Sequence, residues 1–193
     1  MKSQPTVPPN WGASNIPDQT GARFLITGGN SGLGLESAKA LVAKGAHVTV
    51  TARSQVKGIA AMQSTGAQEF LELDLADLAS VRRAAATITE PFNVVLLNAG
   101  IMVPPFAKTV DGFESQLGTN FLGHFAFAGL IEKFVINRWV VTTSFVHRFG
   151  NFGDQTKETI RNRCRGIGKY SPWISYGDSK LADLIFVNEL ERR

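Results

Sequence analysis

The sequence predicts an α/β protein with a doubly wound parallel sheet of about five strands, and three observations support this fold class. Short β-branched or apolar runs alternate along the chain with segments of helical period. One run, Asn93–Leu97, is almost wholly apolar, as expected of a strand covered on both faces. A glycine-rich turn, TGGNSGLG at 27–34, joins the first strand to the first helix. Parallel strands connected in this way imply right-handed crossovers.

The first half of the domain contributes three predicted strands and three predicted helices. The strands are Phe24–Ile26, His47–Thr51 and Glu69–Leu73. The helices run over about 33–44, 54–63 and 77–89. Gly45 terminates the first helix, and either Asp77 or Ser80 opens the third.

The second half continues the alternation and ends in a helix. The fourth and fifth strands are Asn93–Leu97 and Trp139–Thr143, separated by a long helix over Glu114–Phe134. A helix over Tyr176–Glu191 closes the chain. Residues 145–174 predict a long irregular loop, and a loop of this length in a compact domain is more often functional than not.

Composition points to one folded domain after a short leader. Residues 1–20 are polar and hold four of the eight prolines, and residues 21–193 form the predicted domain. Hydrophobic residues make up 44% of the chain and charged residues 19%, as in ordinary globular proteins. No run is apolar enough for a secretory signal or a membrane span, and the single cysteine, Cys164, forms no internal disulfide. We therefore expect a soluble, cytoplasmic protein.

The formal charge of +4 is concentrated in one stretch. Five basic residues and one acid between Lys157 and Lys169 contribute a net +4. A solvated basic loop explains this stretch better than a nucleic-acid patch, because no interleaving of basic and aromatic residues appears elsewhere. Cys164 has no second cysteine or histidine pair nearby. We therefore expect neither a nucleic-acid partner nor a metal.

The glycine turn has the position and composition of a dinucleotide-binding loop. Gly28 permits a tight turn, Gly32 lets the backbone approach a ligand, and Gly34 lets the helix pack against the sheet. The free N–H groups and the helix dipole would then hold a pyrophosphate. The spacing TGxxxGxG is two residues longer than the common GxGxxG, and many unrelated turns also need glycine.

The end of the second strand distinguishes between two cofactors. An acid at this position would bind the adenine ribose 2′-hydroxyl of NAD, whereas this chain has Arg53. An arginine suits a 2′-phosphate through charge-assisted, bidentate hydrogen bonds. We therefore expect NADP(H) as the cofactor, with NAD(H) as the alternative. In the non-functional interpretation, Arg53 is an ordinary surface residue that binds no cofactor.

Six motifs in order resemble the short-chain dehydrogenase/reductase family. They are TGGNSGLG at 27–34, LDL at 73–75, LNAG at 97–100, TNFLGHF at 119–125, TTSF at 142–145 and YGDSK at 176–180. The phrases GTNFLGHF and SPWISYGDSKLADLIFVNELERR most resemble the branch of retinol dehydrogenases, the WW-domain oxidoreductase and protochlorophyllide reductase. The resemblance implies a Rossmann-like fold and a homodimer through the helices that carry Asn120 and Tyr176.

The residues expected to bind the cofactor come from the glycine turn, the strand ends and the last helix. The resemblance implies that Asp74 reaches the adenine and that the Asn98-Ala99-Gly100 motif stabilises the central sheet. The full set is Gly28, Asn30, Ser31, Gly32, Leu33, Gly34, Arg53, Asp74, Leu75, Asn98, Ala99, Gly100, Tyr176 and Lys180.

The expected catalytic residues are Asn120, Ser144, Tyr176 and Lys180. Tyr176 and Lys180 are four apart, so they share one helix face, and a nearby ammonium favours the phenolate. Tyr176 would exchange a proton with a carbonyl or alcohol oxygen, and Ser144 would stabilise charge on that oxygen. The resemblance further implies that Lys180 holds the nicotinamide ribose and that Asn120 holds a water.

Each of these residues also has a structural interpretation. The Tyr–Lys pair could be an ordinary amphipathic pair, Ser144 a satisfied edge hydroxyl, and Asn120 a polar bond between helices. His124 and His147 are expected to be structural. Trp173 and Phe152 either line the substrate side or simply pack.

The chain departs from the family pattern in two places. Relatives continue past the Tyr–Lys helix with further strands and a substrate-covering segment, whereas this sequence stops at Arg193. That leaves the fifth strand as an exposed hydrophobic edge. The link EKFVINRWVV at 132–141 is also short. We therefore expect a truncated chain with an incomplete substrate region.

These observations favour one function and leave two alternatives. The first is an NADP(H)-dependent oxidoreductase that interconverts a carbonyl and an alcohol on an apolar small molecule. The second is a catalytically inactive nucleotide-binding or interaction module produced by truncation. The third, a sugar-nucleotide epimerase, also uses Tyr-x-x-x-Lys but usually needs a longer C-terminal region.

Overall fold

Five parallel strands form the centre of the computed structural model, which describes residues 8–192. The sheet order is β3-β2-β1-β4-β5, and every neighbouring pair is parallel. The strands are β1 (Arg23–Ile26), β2 (His47–Ala52), β3 (Glu69–Glu72), β4 (Phe92–Leu97) and β5 (Val135–Val141). This topology confirms the predicted α/β, Rossmann-like fold. The predicted leader falls partly on residues 1–7, which lie outside the described residues.

Helices cover both faces of the sheet. They are α1 (Gly32–Val42), α2 (Gln55–Thr65), α3 (Leu78–Ala86), α4 (Gly123–Ile131), α5 (Lys157–Arg165) and α6 (Pro172–Arg192). A π-helical segment, Leu117–Leu122, precedes α4, and a 3₁₀ turn, Glu132–Phe134, follows it.

Alternation along β1 divides the core into two layers. Phe24 and Ile26 belong to one buried cluster with residues of α1 and α2. Leu25 belongs to a second cluster with residues of α3, α4 and α6. Successive side chains of a strand point to opposite faces, so a central strand needs apolar residues at every position.

The signals that begin and end the helices act largely as the sequence predicts. The Asp77 carboxylate caps α3 by accepting a hydrogen bond from the Ala79 N–H at 2.8 Å. Ser80 is not the cap, because its hydroxyl accepts a hydrogen bond from the Asp74 N–H at 3.0 Å. Gly45 follows α1 with a φ of 82°, a left-handed conformation that glycine adopts without strain.

The predicted loop over 145–174 is wrong in its middle. It contains a 3₁₀ turn, Phe145–Phe149, and the helix α5. The sequence KETIRNRCR is strongly polar, with Ile160 and Cys164 as its only apolar residues, so it gives little sign of a helix packed on the core. The missed signals are a Thr156 cap and a left-handed Gly166, together with Glu158 in the first turn and two arginines in the last turn. The helix α6 also begins earlier than predicted, at Pro172.

β5 is an exposed edge strand. The turn Glu132–Phe134 runs directly into Val135, which confirms the short link and places the start of β5 four residues before the predicted one. Within the described residues β5 pairs with β4 alone. Ile136 on this strand is 64% exposed. At the opposite edge, β3 exposes Glu69 and Glu72 instead, and charges of this kind discourage edge-to-edge pairing.

Replacing Ile136 with lysine should reduce self-association of this chain at high concentration. A charge on an unpaired edge opposes strand addition, whereas the change at an exposed position should alter the free energy of unfolding by no more than about 0.5 kcal/mol. Light scattering against concentration measures the effect. Val110→Lys is the matched control, since Val110 is 82% exposed but lies off the strand edge. Equal scattering from both variants would contradict the edge explanation.

Candidate active site

A cavity of about 520 Å³ lies where β1, β2 and β4 end. Crevices at the carboxyl ends of parallel strands are the usual ligand sites of doubly wound sheets. Most predicted cofactor residues line it, and the exception is Gly34. The lining members are Gly28, Asn30, Ser31, Gly32, Leu33, Arg53, Asp74, Leu75, Asn98, Ala99, Gly100, Tyr176 and Lys180.

Three of the four glycines of the turn meet different surroundings. Gly28 has a φ of 70°, and a Cβ there would lie 2.9 Å from the Ala99 Cα. A Cβ on Gly34 would collide with the Gly28 carbonyl and would lie 2.5 Å from the Asn98 Nδ2. A Cβ on Gly32 would meet nothing within 4 Å, because this residue faces the open cavity. Gly28 and Gly34 therefore allow close packing, while Gly32 leaves room for a ligand.

Thr27, at the end of β1, holds the glycine turn to the end of β4. Its hydroxyl accepts hydrogen bonds from the Asn98 N–H at 2.8 Å and the Ala99 N–H at 3.0 Å. The Asn98 side chain donates in return to the Thr27 carbonyl at 3.0 Å. Thr27 is fully buried, so these bonds fix the two loops on either side of the cavity.

His124 continues this network toward α4. Its Nδ1 lies 2.7 Å from the Asn120 carbonyl, which only accepts, so Nδ1 carries the proton. Its Nε2 then accepts from the Thr27 hydroxyl at 2.8 Å. Burial lowers the pKa of His124 to about 4 despite the favourable Asn120 contact, so the ring is neutral near pH 7. His124 thus has the structural role expected from the sequence.

Asn120 lies in the π-helical segment and is fully buried. Its Oδ1 accepts from the Ile101 N–H at 2.8 Å, and its Nδ2 donates to the Ile101 carbonyl at 2.9 Å and the Ser179 hydroxyl at 3.0 Å. These bonds join the loop after β4 to α6. Both amide hydrogens are occupied and the side chain does not line the cavity, so a water-holding role for Asn120 stays a prediction.

Tyr176 and Lys180 lie together on the cavity wall, as their spacing predicts. The Lys180 ammonium is 6.0 Å from the centre of the Tyr176 ring. It donates hydrogen bonds to the Thr142 carbonyl at 2.8 Å and to the Asp183 carboxylate at 2.9 Å. The Thr143 hydroxyl bonds the Lys180 carbonyl at 2.8 Å, which fixes α6 against the end of β5.

Ser144 lies outside the residues that line the cavity. Its hydroxyl accepts a hydrogen bond from the Val146 N–H at 3.3 Å and so caps the turn Phe145–Phe149. That turn packs closely on α6, where a Cβ on Gly177 would lie 2.9 Å from the Gly150 nitrogen. Thr142, two residues before Ser144, lines the cavity instead. The catalytic role of Ser144 therefore stays a prediction, and the hydroxyl hydrogen remains free to donate.

Gln116 links the loop after β4 to the start of α6. Its Oε1 accepts from the Val103 N–H at 2.8 Å, and its Nε2 donates to the Pro172 carbonyl at 2.8 Å. Val103 has a φ of 55°, a strained conformation for a β-branched residue. Backbone strain of this kind is found preferentially at functional sites, and this loop borders the cavity.

Three exposed cations border the cavity without partners. Arg53, Lys57 and Lys108 form no ion pair or hydrogen bond with their side chains among residues 8–192. Asp74, whose carboxylate accepts from the Ala76 N–H at 2.9 Å, is the single acid among the lining residues. The cavity therefore attracts anions.

Several residues of the site escaped sequence reasoning. Lys57 lies in the first turn of α2, where its position so soon after Arg53 was the available signal. Thr27 precedes the first glycine, but a threonine there carries no pattern of its own. Asp183 and Gln116 become noticeable only because they are buried against polar partners from other elements.

Among residues 8–192, none of the helices has the length and apolar character needed to cross a bilayer. The same residues hold no group of three His, Cys, Asp or Glu side chains suited to a metal.

Burial raises the pKa of the Cys164 thiol, and nearby Asp178 and Glu114 raise it further. That shift makes Cys164 a poor nucleophile near neutral pH.

Replacing His124 with asparagine should cost about 1 to 3 kcal/mol of unfolding free energy at pH 7, because the buried Thr27 hydroxyl loses its acceptor. The loss should shrink at lower pH. Neutral His124 stabilises the fold fully above its ordinary pKa of 6.5, and this contribution disappears as the pH falls toward 4. Urea unfolding at pH 7 and pH 5 tests this. Thr27→Val breaks the same bond but keeps the titrating ring, so its deficit should change less with pH.

Comparisons with known proteins identify the family. Residues 22–139 match the model of the family described as short chain dehydrogenase. The short-chain dehydrogenase/reductase prx1 of Penicillium roqueforti is 40% identical over 179 residues, covering 88% of this chain and 52% of that protein. A probable oxidoreductase of Streptomyces antibioticus is 38% identical over 180 residues, covering 88% of this chain and 58% of that protein.

Solved structures show the same fold. An uncharacterised protein from Mycobacterium paratuberculosis superposes with a TM-score of 0.87 at 43% identity, covering 95% of this chain and 66% of that one. The RhlG/NADP complex of Pseudomonas aeruginosa has a TM-score of 0.66 at 20% identity, covering 90% and 67%, and supports the fold alone. The chain spans a little over half the length of the two relatives named above. On its sequence match and its fold, the chain belongs to the short-chain dehydrogenase/reductase family.

Proposed function

We propose that this chain supplies the cofactor-binding and acid–base residues of an NADP(H)-dependent oxidoreductase that interconverts a carbonyl and an alcohol on an apolar small molecule. One observation carries the proposal: Tyr176 and Lys180 line the same cavity as the glycine turn. Enzymes of this family use NAD(P)(H).

The residues present fit a dinucleotide. The cavity has the volume of a cofactor site, and Gly32 leaves it open where the backbone would meet a pyrophosphate. Ser31, at the start of α1, makes no capping bond with its side chain. The first N–H groups of α1 are therefore free to bind an anion.

A preference for NADP(H) is supported by two unpartnered cations after β2. Arg53 is exposed at the cavity, and Lys57 lies one helical turn further along the chain. A ribose 2′-phosphate would gain charge-assisted bonds from both. The 2′-hydroxyl of NAD(H) would gain neither, and no acid replaces Arg53 to bind it.

The proposed chemistry divides between the cofactor and this chain. A nicotinamide cofactor held by these residues would supply the hydride for a carbonyl carbon or take one up from an alcohol carbon. Tyr176 donates a proton to the substrate oxygen or accepts one from it, and Lys180 stabilises the phenolate by its charge. Ser144 would hydrogen-bond the same oxygen with the hydroxyl hydrogen that its capping role leaves free.

An apolar substrate is supported by exposed apolar side chains on the cavity wall and on the elements that precede Tyr176. Met102 lines the cavity and is exposed. Phe145, Phe149 and Trp173 are also exposed, on the turn and helix that lead to Tyr176. Several exposed apolar side chains on neighbouring elements are typical of a surface that binds an apolar molecule.

Three finer proposals accompany this one. The GTNFLGHF and YGDSK phrases favour the retinol dehydrogenase-like branch.

A homodimer through α4 and α6 is supported by an exposed apolar face, in which the Phe125 ring contacts Phe121 and Phe186 at 5.8 and 5.4 Å. Exposed Ile185 extends that face. A cytoplasmic location is the third proposal, and it rests on the sequence alone.

The alternative is a nucleotide-binding module without turnover. The position of Ser144 favours it, because this hydroxyl caps a turn and does not line the cavity. NADPH fluorescence followed by turnover on a panel of carbonyl compounds separates the two functions. Binding with turnover supports the oxidoreductase, binding alone supports the module, and no binding contradicts both.

Tyr176→Phe should reduce turnover at least about 100-fold while leaving NADPH affinity within about twofold, because the phenol hydroxyl acts in proton transfer rather than in binding. Steady-state rates and fluorescence titration measure the two effects. Tyr170→Phe is the control, since Tyr170 bonds Gln116 and Pro104 and does not line the cavity. Unchanged turnover in Tyr176→Phe would remove this residue from the mechanism.

Arg53→Asp should weaken NADPH binding about tenfold or more and improve NADH binding, since the new carboxylate repels a 2′-phosphate and accepts from a 2′-hydroxyl. Fluorescence titration with both cofactors gives the ratio. Arg161→Asp makes the same charge change on α5, away from the lining residues, and should leave the ratio unaltered. Equal changes in both variants would point to general electrostatics.

A further inference from the structure

The ammonium of Lys180 forms an ion pair with a buried acid on the same helix, Asp183. Asp183 follows Lys180 by three residues, and its Oδ2 lies 2.9 Å from the Lys180 Nζ. The two side chains are only 6% and 2% exposed. A third group, the Thr142 carbonyl, accepts from the same ammonium at 2.8 Å. Two of the three N–H donors of Lys180 are therefore occupied, and one remains for a ligand.

The Asp183 carboxylate is poorly satisfied. Its Oδ1 is buried and has no hydrogen-bond partner. Burial raises the pKa of Asp183 to about 6, although the charge of Lys180 and its hydrogen bond act in the opposite direction. A buried ion pair with an unsatisfied oxygen rarely stabilises a fold better than a neutral pair of the same size. Stability therefore gives no reason for an acid at this position.

The groups around this pair come from three directions. On α6, Tyr176 faces Lys180 across 6.0 Å. From α4, the neutral ring of His124 lies close enough for the charge of Lys180 to lower its pKa. From the end of β5, Thr142 and Thr143 contribute uncharged oxygens. Asp183 is thus the negative charge that balances Lys180.

We propose that Asp183 is a positioning residue that sets how much of the Lys180 charge reaches Tyr176. When ionised, Asp183 holds the ammonium and offsets its charge. When a proton from solvent occupies the unpartnered Oδ1, Lys180 carries an unopposed charge toward Tyr176. No covalent bond forms or breaks. The inference rests on the proposed role of Tyr176 and Lys180 as the acid–base pair.

Asp183→Asn should lower the midpoint of Tyr176 ionisation by more than about 0.3 pH units, because the carboxylate that offsets the charge of Lys180 is removed. The full chain with ¹³Cζ-labelled tyrosine measures this directly by NMR. It has only two tyrosines, and Tyr170→Phe assigns the signals. Asp183→Glu should restore most of the wild-type midpoint.

Asp178→Asn is the matched control. Asp178 is also a fully buried acid on α6, but its carboxylate accepts from the Asn151 N–H at 2.6 Å and lies 3.9 Å from Arg163. This variant should move the Tyr176 midpoint by less than about 0.3 units, since it leaves Lys180 and its partners in place. An equal shift in both variants, or no shift in Asp183→Asn, would overturn the proposal.

A measurement on the unmodified chain covers the case in which Asp183→Asn does not fold. The ¹⁵Nζ signal of Lys180 should titrate with a midpoint near pH 6 as Asp183 takes up its proton. A signal that is flat between pH 5 and 7 would overturn the proposal. Neither NMR test needs turnover, so an inactive chain with these shifts would refute the proposed function and leave the role of Asp183 intact.

Discussion

The site depends on the close approach of two backbone turns, one after β1 and one after β4. Gly28 and Gly34 permit the approach because any larger side chain would collide with Ala99, Asn98 or the turn itself. Thr27 then fixes it with hydrogen bonds to both Asn98 and Ala99. Close packing and hydrogen bonding of the backbone thus occur together where the two turns meet, and the cavity is the space beyond this contact.

A polar chain leads from this point to the opposite wall. Thr27 bonds His124, His124 bonds Asn120, and Asn120 bonds Ile101 and Ser179. The links from Thr27 through His124 and Asn120 to Ser179 are buried, so each lost partner there would leave an unsatisfied group in a low-dielectric interior. These hydrogen bonds therefore couple the glycine turn to α6 largely through residues that do not line the cavity, namely Thr27, His124, Asn120 and Ser179. They account for the burial of a histidine and an asparagine beside the apolar core.

The helix α6 buries both apolar and ionisable side chains. It presents one face to the core through Ala182 and Phe186, yet it buries Asp178, Lys180 and Asp183 as well. Burying three ionisable groups on one helix costs free energy unless each is paired. Two of the carboxylates keep an oxygen without a hydrogen-bond partner. Such imperfect satisfaction is more common at functional sites than in ordinary cores.

Local pattern in the sequence determined the order of strands and helices, the glycine turn, and the shared face of Tyr176 and Lys180, because each depends on neighbours within one or two turns of chain. It missed α5, which is bounded by a Thr156 cap and a left-handed Gly166 but is too polar to suggest a helix packed on the core. Tertiary structure alone decided that the Asp183–Lys180 pair is buried and that Lys57 lines the cavity together with Arg53. It also decided that Ser144 lies outside the cavity lining. Asp183 and Ser144 bond residues only three and two positions away. Their burial and their place relative to the cavity are set by residues distant in sequence, so local pattern could not reveal these roles.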